Sequence, residues 1–525
     1  MTLDMTAQSD HNPLYTSVRY KALDPRNVEM AVPTRNPRFE LEVDRSRSMP
    51  LVEQISGILR TAIVEGRLKP GARLPSWLDM AAQLGVARGT VKAAYERLAD
   101  ESLVVASSAS GTRVAAEFVR PTEPIKTNIR PPLDGLAPSY YRNPLPFQMG
   151  VPAQDAFPAK LWARIRARAV RDDAMAPVGL HDPRGNPELR AQIASYVAIA
   201  RGIRCVPDQI IITGGYRNGL ALAMRTLKVY GKSAWLEEPG YPITRMGLQL
   251  DDVMPVDVPV DDQGIVVELG VRRAPNAAMA IVTPGQQAPT GVVLSQDRRD
   301  ALLRWAERSG AWIIEDDYLS ELQLGGRAAP ALAAGDPDGR VVHIGSFSKT
   351  LSPTLGLGFL VAPLSLAERF GEVAACLQPA PNSTTQLALA RVLADGHYLR
   401  HLRHMKSLYR ERRDALRACL PEELVSDAMG GLALLLHLPK GTDDLALSKK
   451  ALARGIAPMP LSIWWTNKRK ANPGFVLGIA NIKKGQAKAV SRILLEVVAD
   501  AFGRTRSIGF RGVRRKAEHR KPRRS

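Results

Sequence analysis

The sequence predicts a multidomain α/β protein: a small helical module with a two-stranded wing, then a larger domain built on a mostly parallel sheet. Three observations lead there. At 525 residues the chain is too long for one ordinary hydrophobic core, so two to four are expected. From Pro50 to Ala99, apolar side chains recur at helical spacing between glycine turns. Beyond Pro146, short apolar runs alternate with amphipathic stretches, the pattern of buried strands joined by helices.

In the first module, Leu51, Val52, Ile55, Leu59, Ala62 and Ile63 form the inner face of a helix that Gly66 closes. Lys69-Pro70-Gly71 makes a turn, and Leu74-Pro75-Ser76 leads into a short helix from Trp77 to Leu84. Leu84-Gly85-Val86 connects to a third helix, Ala87 to Ala99. Its Val91, Ala94, Tyr95 and Leu98 point inward and its Arg88, Gly89, Thr90 and Lys92 outward. Leu103-Val104-Val105 and Thr112-Arg113-Val114 flank Ser108-Ala109-Ser110-Gly111 as a wing. Two short helices joined at a glycine, the second with a basic N-terminal face, suit a DNA major groove.

Residues 1–49 read as a flexible arm, and residues 117–146, with Pro121, Pro124, Pro131, Pro132, Pro138 and Pro144, as a semi-extended linker. At ~3.1 Å per residue such a linker reaches on the order of 90 Å. In the large domain, 147–503, strands are expected at Ile210–Thr213, Ala234–Leu236, Met279–Val282, Trp312–Ile314 and Val341–Ile344, with helices such as Gly215–Tyr230 and Gln296–Ser309 between them. Ligands of such sheets collect at the carboxyl ends of the strands.

Two motifs fall at those ends: Glu315-Asp316-Asp317-Tyr318 and Ser346-Phe347-Ser348-Lys349-Thr350. Together they suit pyridoxal 5'-phosphate (PLP), which needs an amine to form a Schiff base, an anion beside its pyridine nitrogen, and hydroxyls and N–H groups around its phosphate. Lys349, Asp316 and the Ser346/Ser348 pair offer all three, with Tyr318 near the ring's phenolic oxygen.

At 45% hydrophobic and 24% charged residues, the composition is that of a globular protein and excludes a disordered or fibrous one. No apolar run is long enough for a membrane span, and the polar N-terminus lacks the core of a secretory signal, so a cytoplasmic protein is expected. Cys205, Cys376 and Cys419 form no metal or disulfide pattern. His397, His401 and His404 share a helical face, but Arg400, Arg403 and Lys406 surround them without a carboxylate, so no metal is expected there. The formal charge of +20 points to a polyanion partner. Residues 504–525, read as a disordered basic tail, supply +9 of it: ten Lys/Arg against Glu518.

Residues 50–116 resemble the winged helix-turn-helix of the GntR family of bacterial repressors and activators. The likeness rests on Glu65-Gly66-Arg67-Leu68, Pro70-Gly71, Leu74-Pro75-Ser76, Leu84-Gly85-Val86, Arg88, Thr90-Val91 and Ser110-Gly111-Thr112. It implies binding to a double-stranded operator, with Arg88, Thr90 and Lys92 near the groove, Arg113 and Gly111 on the wing, and Ser76 as a further contact. Leu78 stands where an arginine is usual, and Ala87 where a capping serine is usual. The alanine forgoes about 0.5–2 kcal/mol of capping.

From about Pro146 to Phe502 the chain resembles fold-type I PLP enzymes of the aminotransferase class. The tandem arrangement is similar to the MocR subfamily of GntR regulators, where an aminotransferase-like domain serves as sensor. Supporting stretches are His181-Asp182-Pro183, Gly185, Leu189-Arg190, Glu238-Pro239-Gly240-Tyr241-Pro242, Thr283-Pro284, Gln287, Pro289-Thr290-Gly291 and the Arg-rich helix His401–Arg413. The resemblance implies Lys349 as the Schiff-base lysine, Asp316 as pyridine partner and Tyr318 as ligand of the ring hydroxyl. It also puts Tyr241 near the ring and the helix start Gly215-Tyr216-Arg217 toward the phosphate. It further implies a homodimer and an effector that is an amine or a B6 vitamer.

Four departures qualify this. Gly356 replaces a phosphate-binding arginine, Leu180 a tyrosine, Ala288 an asparagine beside the ring, and Val476 the arginine that clamps a substrate carboxylate. Losing that bidentate contact argues against ordinary transamination; Arg217 is a candidate compensation at the phosphate. Three functions stay open on the sequence: a PLP-binding transcriptional regulator, an aminotransferase with a DNA-binding extension, or a sensor that has lost its cofactor. Turnover separates the first two, and a visible absorbance band the first and third.

Overall fold

The computed structural model describes residues 41–46, 48–107, 111–117, 144–177, 179, 181–325, 328–377, 381–467 and 471–503. The chain divides into two compact units, Met1–Ile129 and Arg130–Ser525.

In the first unit, α1 (Leu51–Val64), α2 (Trp77–Leu84) and α3 (Arg88–Asp100) are followed by the antiparallel pair β1 (Val104–Ser107) and β2 (Gly111–Val114). Ile55, Leu59 and Ile63 of α1 share one core with Met80 of α2, Val91, Ala94 and Leu98 of α3, and Val114 of the wing. Ser76 Oγ accepts from Asp79 N (3.1 Å) and donates to Asp79 Oδ2 (2.6 Å), which caps α2. Ala87 gives α3 no side-chain cap.

The arm expected at 1–49 lies largely outside the described residues, but its last part is packed. Leu41 is buried in the core, and Gln54 holds residues 44–49 by accepting from Asp44 N (2.9 Å) and donating to the Asp44 and Met49 carbonyls (2.8 and 2.9 Å). Most of the expected linker and the whole basic tail also fall outside the described residues. The linker's last residues belong instead to the large unit: Pro146 O accepts from Ala457 N (2.8 Å), and the adjacent Phe147 is fully buried.

The second unit runs α4 (Ala159–Met175), α5 (Pro187–Arg201), β3 (Ile210–Thr213), α6 (Tyr216–Leu227), β4 (Ser233–Glu238), α7 (Pro242–Leu250), β5 (Met254–Asp261), β6 (Gly264–Ile265), α8 (Val267–Arg273), β7 (Met279–Val282), α9 (Gln296–Ser309) and β8 (Trp312–Asp316). It continues with β9 (Val341–Ser346), β10 (Gly358–Val361), α10 (Ala367–Leu377), α11 (Ser383–Ala394), α12 (His397–Arg417), β11 (Val425–Ala428), β12 (Ala433–His437), α13 (Asp444–Ala453), β13 (Met459–Pro460), β14 (Gly474–Gly478) and α14 (Ala487–Gly503). The first eight strands form one sheet in the order β3-β10-β9-β8-β7-β4-β5-β6, parallel except at β10 and β6.

Strand alternation splits the sheet's side chains between two cores. Leu236, Ile281, Ile314 and Ile344 meet α6 and α10; Trp235, Ala280 and Ile313 meet α8 and α9. Helices on both faces bury the strands twice over, which is why they read as continuous apolar runs. The antiparallel insertion of β10 and the C-terminal sheet β11-β12-β14-β13 were not foreseen. Helix α12, whose histidines suggest from sequence an exposed or dimer-contact helix, buries Tyr398, His401, Leu402, Met405 and Tyr409 within the chain.

Candidate functional site

Strands β8 and β9 are parallel neighbours, with Asp316 paired to Ile344, so both deliver their following residues to the same sheet edge. After β9 the chain turns tightly: Phe347 N donates to Leu357 O (3.1 Å), and Leu351 N to Phe347 O (2.9 Å). Ser348 N donates to Ser346 Oγ (3.2 Å), locking one hydroxyl into the turn. Lys349 Nζ donates to Gly150 O at 2.7 Å. Gly150, Lys349, Tyr318 and Tyr409 line one cavity.

The start of α6 opens onto the same turn. Gly215 has φ 104°, a conformation that favours glycine, and a Cβ there would lie 3.8 Å from Ser348 Oγ and 3.9 Å from Ser346 Oγ. An unobstructed helix N-terminus thus faces two hydroxyls, a combination that suits a phosphate. Arg217 follows in the first turn and is exposed.

The electrostatics of the site come from burial. The Asp316 carboxyl is held well above its usual range, by burial first and then by Asp317 and Glu237; Lys349 opposes this. Among the described residues Asp316 forms no ion pair, so its proton is held more tightly than that of an ordinary carboxyl and a cation beside it would favour its charged form. Burial likewise pushes Glu237 up to about 7, against hydrogen bonds from Thr283 N (3.2 Å) and Thr283 Oγ1 (2.6 Å). Burial, and then repulsion by Arg217, lower Lys349 to about 8, with Asp316 opposing. Lys349 therefore gives up its proton more readily than an ordinary lysine, which raises its share of nucleophilic amine near neutral pH.

A second layer fixes this one. Arg201 donates to both Asp317 oxygens (2.7 and 3.1 Å), and both side chains are almost fully buried. His343 Nδ1 lies 2.9 Å from Glu315 Oε2, whose carboxylate also accepts from Leu332 N (2.7 Å) and Ala333 N (3.0 Å). Glu315 and Asp317, on either side of Asp316, are thereby held by buried partners.

The structure brings Lys349, Asp316, Tyr318, Ser346, Ser348 and Gly215 to one edge. Tyr216 is also close, but its hydroxyl is engaged by Thr244 Oγ1 (3.0 Å). Tyr241 tilts against Trp464, ring centroids 5.9 Å apart. Ala288 is buried, and Val476 sits fully buried in β14, paired with Leu435 and Met459. Gly356 has φ 58° in open space. Leu180 lies outside the described residues. The sequence reading missed Gly150, Glu237 and the Arg201–Asp317 pair; a signal for Gly150 was the Met149-Gly150-Val151-Pro152 turn just after the proline-rich stretch.

On the winged unit, Arg88 and Lys92 are exposed and Thr90 half-buried; Lys92 Nζ lies 3.7 Å from Glu96. Arg113 donates to Gly71 O (3.0 Å), and Ser76 is occupied as the cap of α2. Arg73, not singled out from sequence, packs on the wing, its Nε 3.3 Å from where a Gly111 Cβ would be. Trp77 and Leu78 expose about two fifths of their surface at the start of α2 (40% and 42%), an apolar face where the family pattern has an arginine. Among the described residues no cluster of His, Cys, Asp or Glu is arranged to hold a metal, and no helix is long and apolar enough to cross a membrane.

Comparison with known proteins fits this geometry. Residues 51–114 match the bacterial regulatory proteins of the gntR family, and residues 152–468 match aminotransferase class I and II. The chain is 33% identical to the probable rhizopine catabolism regulatory protein MocR of Rhizobium meliloti, over 84% of this chain and 92% of that one. It is 34% identical to the HTH-type pyridoxine biosynthesis transcriptional regulator PdxR of Corynebacterium glutamicum (82% and 91%), and 32% to the HTH-type transcriptional regulator TauR of Rhodobacter capsulatus (82% and 93%). Among solved structures, the large unit shares the fold of a kynurenine aminotransferase from Pyrococcus horikoshii (TM-score 0.61, 23% identity, 67% of this chain and 90% of that one) and of an archaeal alanine:glyoxylate aminotransferase (0.63, 22%, 69% and 92%). With a GntR helix-turn-helix joined to a fold-type I aminotransferase-like domain, and relatives of this identity along most of its length, the chain belongs to the MocR-type subfamily of GntR transcriptional regulators.

Proposed function

We propose that the large unit binds PLP covalently at Lys349 and that its occupancy, or capture of an amine or B6 vitamer there, alters how the regulator engages its operator. The observation that carries this reading is that Lys349 and Asp316 lie close enough to influence one another at the same sheet edge where the open start of α6 faces Ser346 and Ser348. Bound there, the cofactor would supply an aldehyde reactive toward primary amines. The lowered Lys349 provides the attacking amine. Asp316, costly to ionise alone, would be offset by a protonated pyridine nitrogen. Gly215 N–H and the two serine hydroxyls would hold the phosphate, with Arg217 adding charge. Tyr318 lines the cavity and Tyr241 packs nearby as ring neighbours. Lys349 would have to release Gly150 O on attachment.

Transamination of α-amino acids is no part of this reading, because Val476 offers no carboxylate clamp and is buried in a strand. DNA binding is assigned to residues 50–116 through Arg88, Thr90 and Lys92, with Arg113 and Arg73 at the wing. A homodimer would present two such units to two half-sites. The test is a mobility shift on operators of varied half-site separation, with and without PLP. The preferred separation should change with PLP for the wild type and stay fixed for Lys349→Ala. A preference indifferent to PLP in both proteins overturns the regulatory role.

A further inference from the structure

A second cavity, of about 230 Å³, lies where residues 156–162 meet the end of α11 and the start of α12. Roughly 150 Å³ suits a benzene ring, so this one holds a ring with a short side chain. Phe157, Leu161, Trp162 and Leu351 make its floor. The polar part of its lining is wholly basic or imidazole: His397, Arg400, His401 and His404, with no acidic residue among the lining side chains. An apolar lining with one guanidinium, Arg400, among imidazoles at its edge is complementary to a small molecule with an apolar body and one anionic end.

The rim is partly set in place. Arg400 NH2 donates to Asp395 O (3.0 Å) and to His397 Nδ1 (2.8 Å), which restrains the guanidinium beside the cavity it lines. Its remaining N–H donors match the fork geometry of a carboxylate. His401 is committed elsewhere: its Nε2 lies 2.9 Å from Thr350 O, so it forms a wall and not a free ligand. We propose that this cavity is a binding site for a small aromatic or branched carboxylic acid, its carboxylate on Arg400 and His404 and its apolar body on Phe157, Leu161 and Trp162.

The site is joined to the lysine turn. Leu351 is in its floor, and the His401–Thr350 contact ties its wall to the residue after Lys349. Thr350 Oγ1 also accepts from Tyr398 OH (3.0 Å) on the same helix. An occupant that shifts α12 therefore pulls on the backbone next to Lys349, independently of what Lys349 holds.

Calorimetric titration of the full chain with 3-phenylpropanoate tests this. Binding is expected with a Kd below about 10 mM, weakened about tenfold or more by Arg400→Ala and by the neutral analogue 3-phenylpropan-1-ol. Leu161→Trp, which fills the cavity, should abolish it. Should the tryptophan variant fail to fold, Arg400→Ala and the neutral analogue still decide. Absence of binding, equal binding of acid and alcohol, or undiminished binding by Arg400→Ala would each overturn the proposal.

Discussion

The two units handle charge in opposite ways. In the large unit, Glu237 and the Arg201–Asp317 pair are buried and Lys349 and Asp316 half-buried, so enclosure and neighbouring charges set their behaviour: Glu237 is pushed up to about 7, Lys349 lowered to about 8 and Asp316 held above its usual range. In the winged unit, Arg88 and Lys92 stand in solvent, where salt screens them and their value is realised only against an incoming phosphate or base. A buried array stores chemistry in advance; an exposed one stores only geometry and sign. Mutations should therefore act on stability and reactivity in the first, and on affinity and salt dependence in the second.

The largest effect is expected from Arg201→Ala. It strips the buried Asp317 of its guanidinium and leaves His343 Nε2, 3.6 Å away, beside it, a loss that costs about 3–5 kcal/mol. Unfolding followed separately for the two units should show the loss in the large unit alone; a change below about 1 kcal/mol, the scale of an exposed pair, would erase the contrast.

Next is pH. The neutral amine of Lys349 attacks, and its depressed pKa means the charged form is lost as pH rises through about 8. Attachment of PLP, followed by stopped-flow absorbance, should accelerate about tenfold per pH unit below that point and level off above it. A rise continuing past pH 10 would mean an ordinary exposed lysine.

On the winged unit, Arg88→Ala should cost about 1–3 kcal/mol at the preferred operator and little on random DNA if it reads a base, or act equally on both if it holds a phosphate. Mobility shifts on both sequences distinguish these, and no loss on either removes Arg88 from the interface. The smallest effect is at Gly356. Restoring an arginine there meets no side chain but forces a left-handed backbone, costing about 1–2 kcal/mol. Gly356→Arg should lower the large unit's thermal midpoint and so offset any gain in phosphate binding.

The same division explains what could be read in advance. The inner face of α3 and the strands β3, β4, β7, β8 and β9 were legible because each is a local pattern, helical spacing or a continuous apolar run. Strand β10 was not, being four residues whose role is set by pairing with β3, almost 150 positions earlier. The C-terminal sheet was hidden likewise, since β12 and β14 meet across some forty residues. Lys349 and Asp316 announced themselves through neighbours in sequence. Gly150 against Lys349, and Arg201 against Asp317, are partners separated by 199 and 116 positions, and only the fold brings them together.

One measurement bears most directly on the account: borohydride reduction of the purified full chain after incubation with PLP, then peptide mass mapping of wild type and Lys349→Ala. The account predicts a single stoichiometric pyridoxyl adduct on the peptide carrying Lys349, with loss of the visible band, and no such adduct or band in the variant. An adduct on another lysine, or an undiminished band in Lys349→Ala, would contradict it.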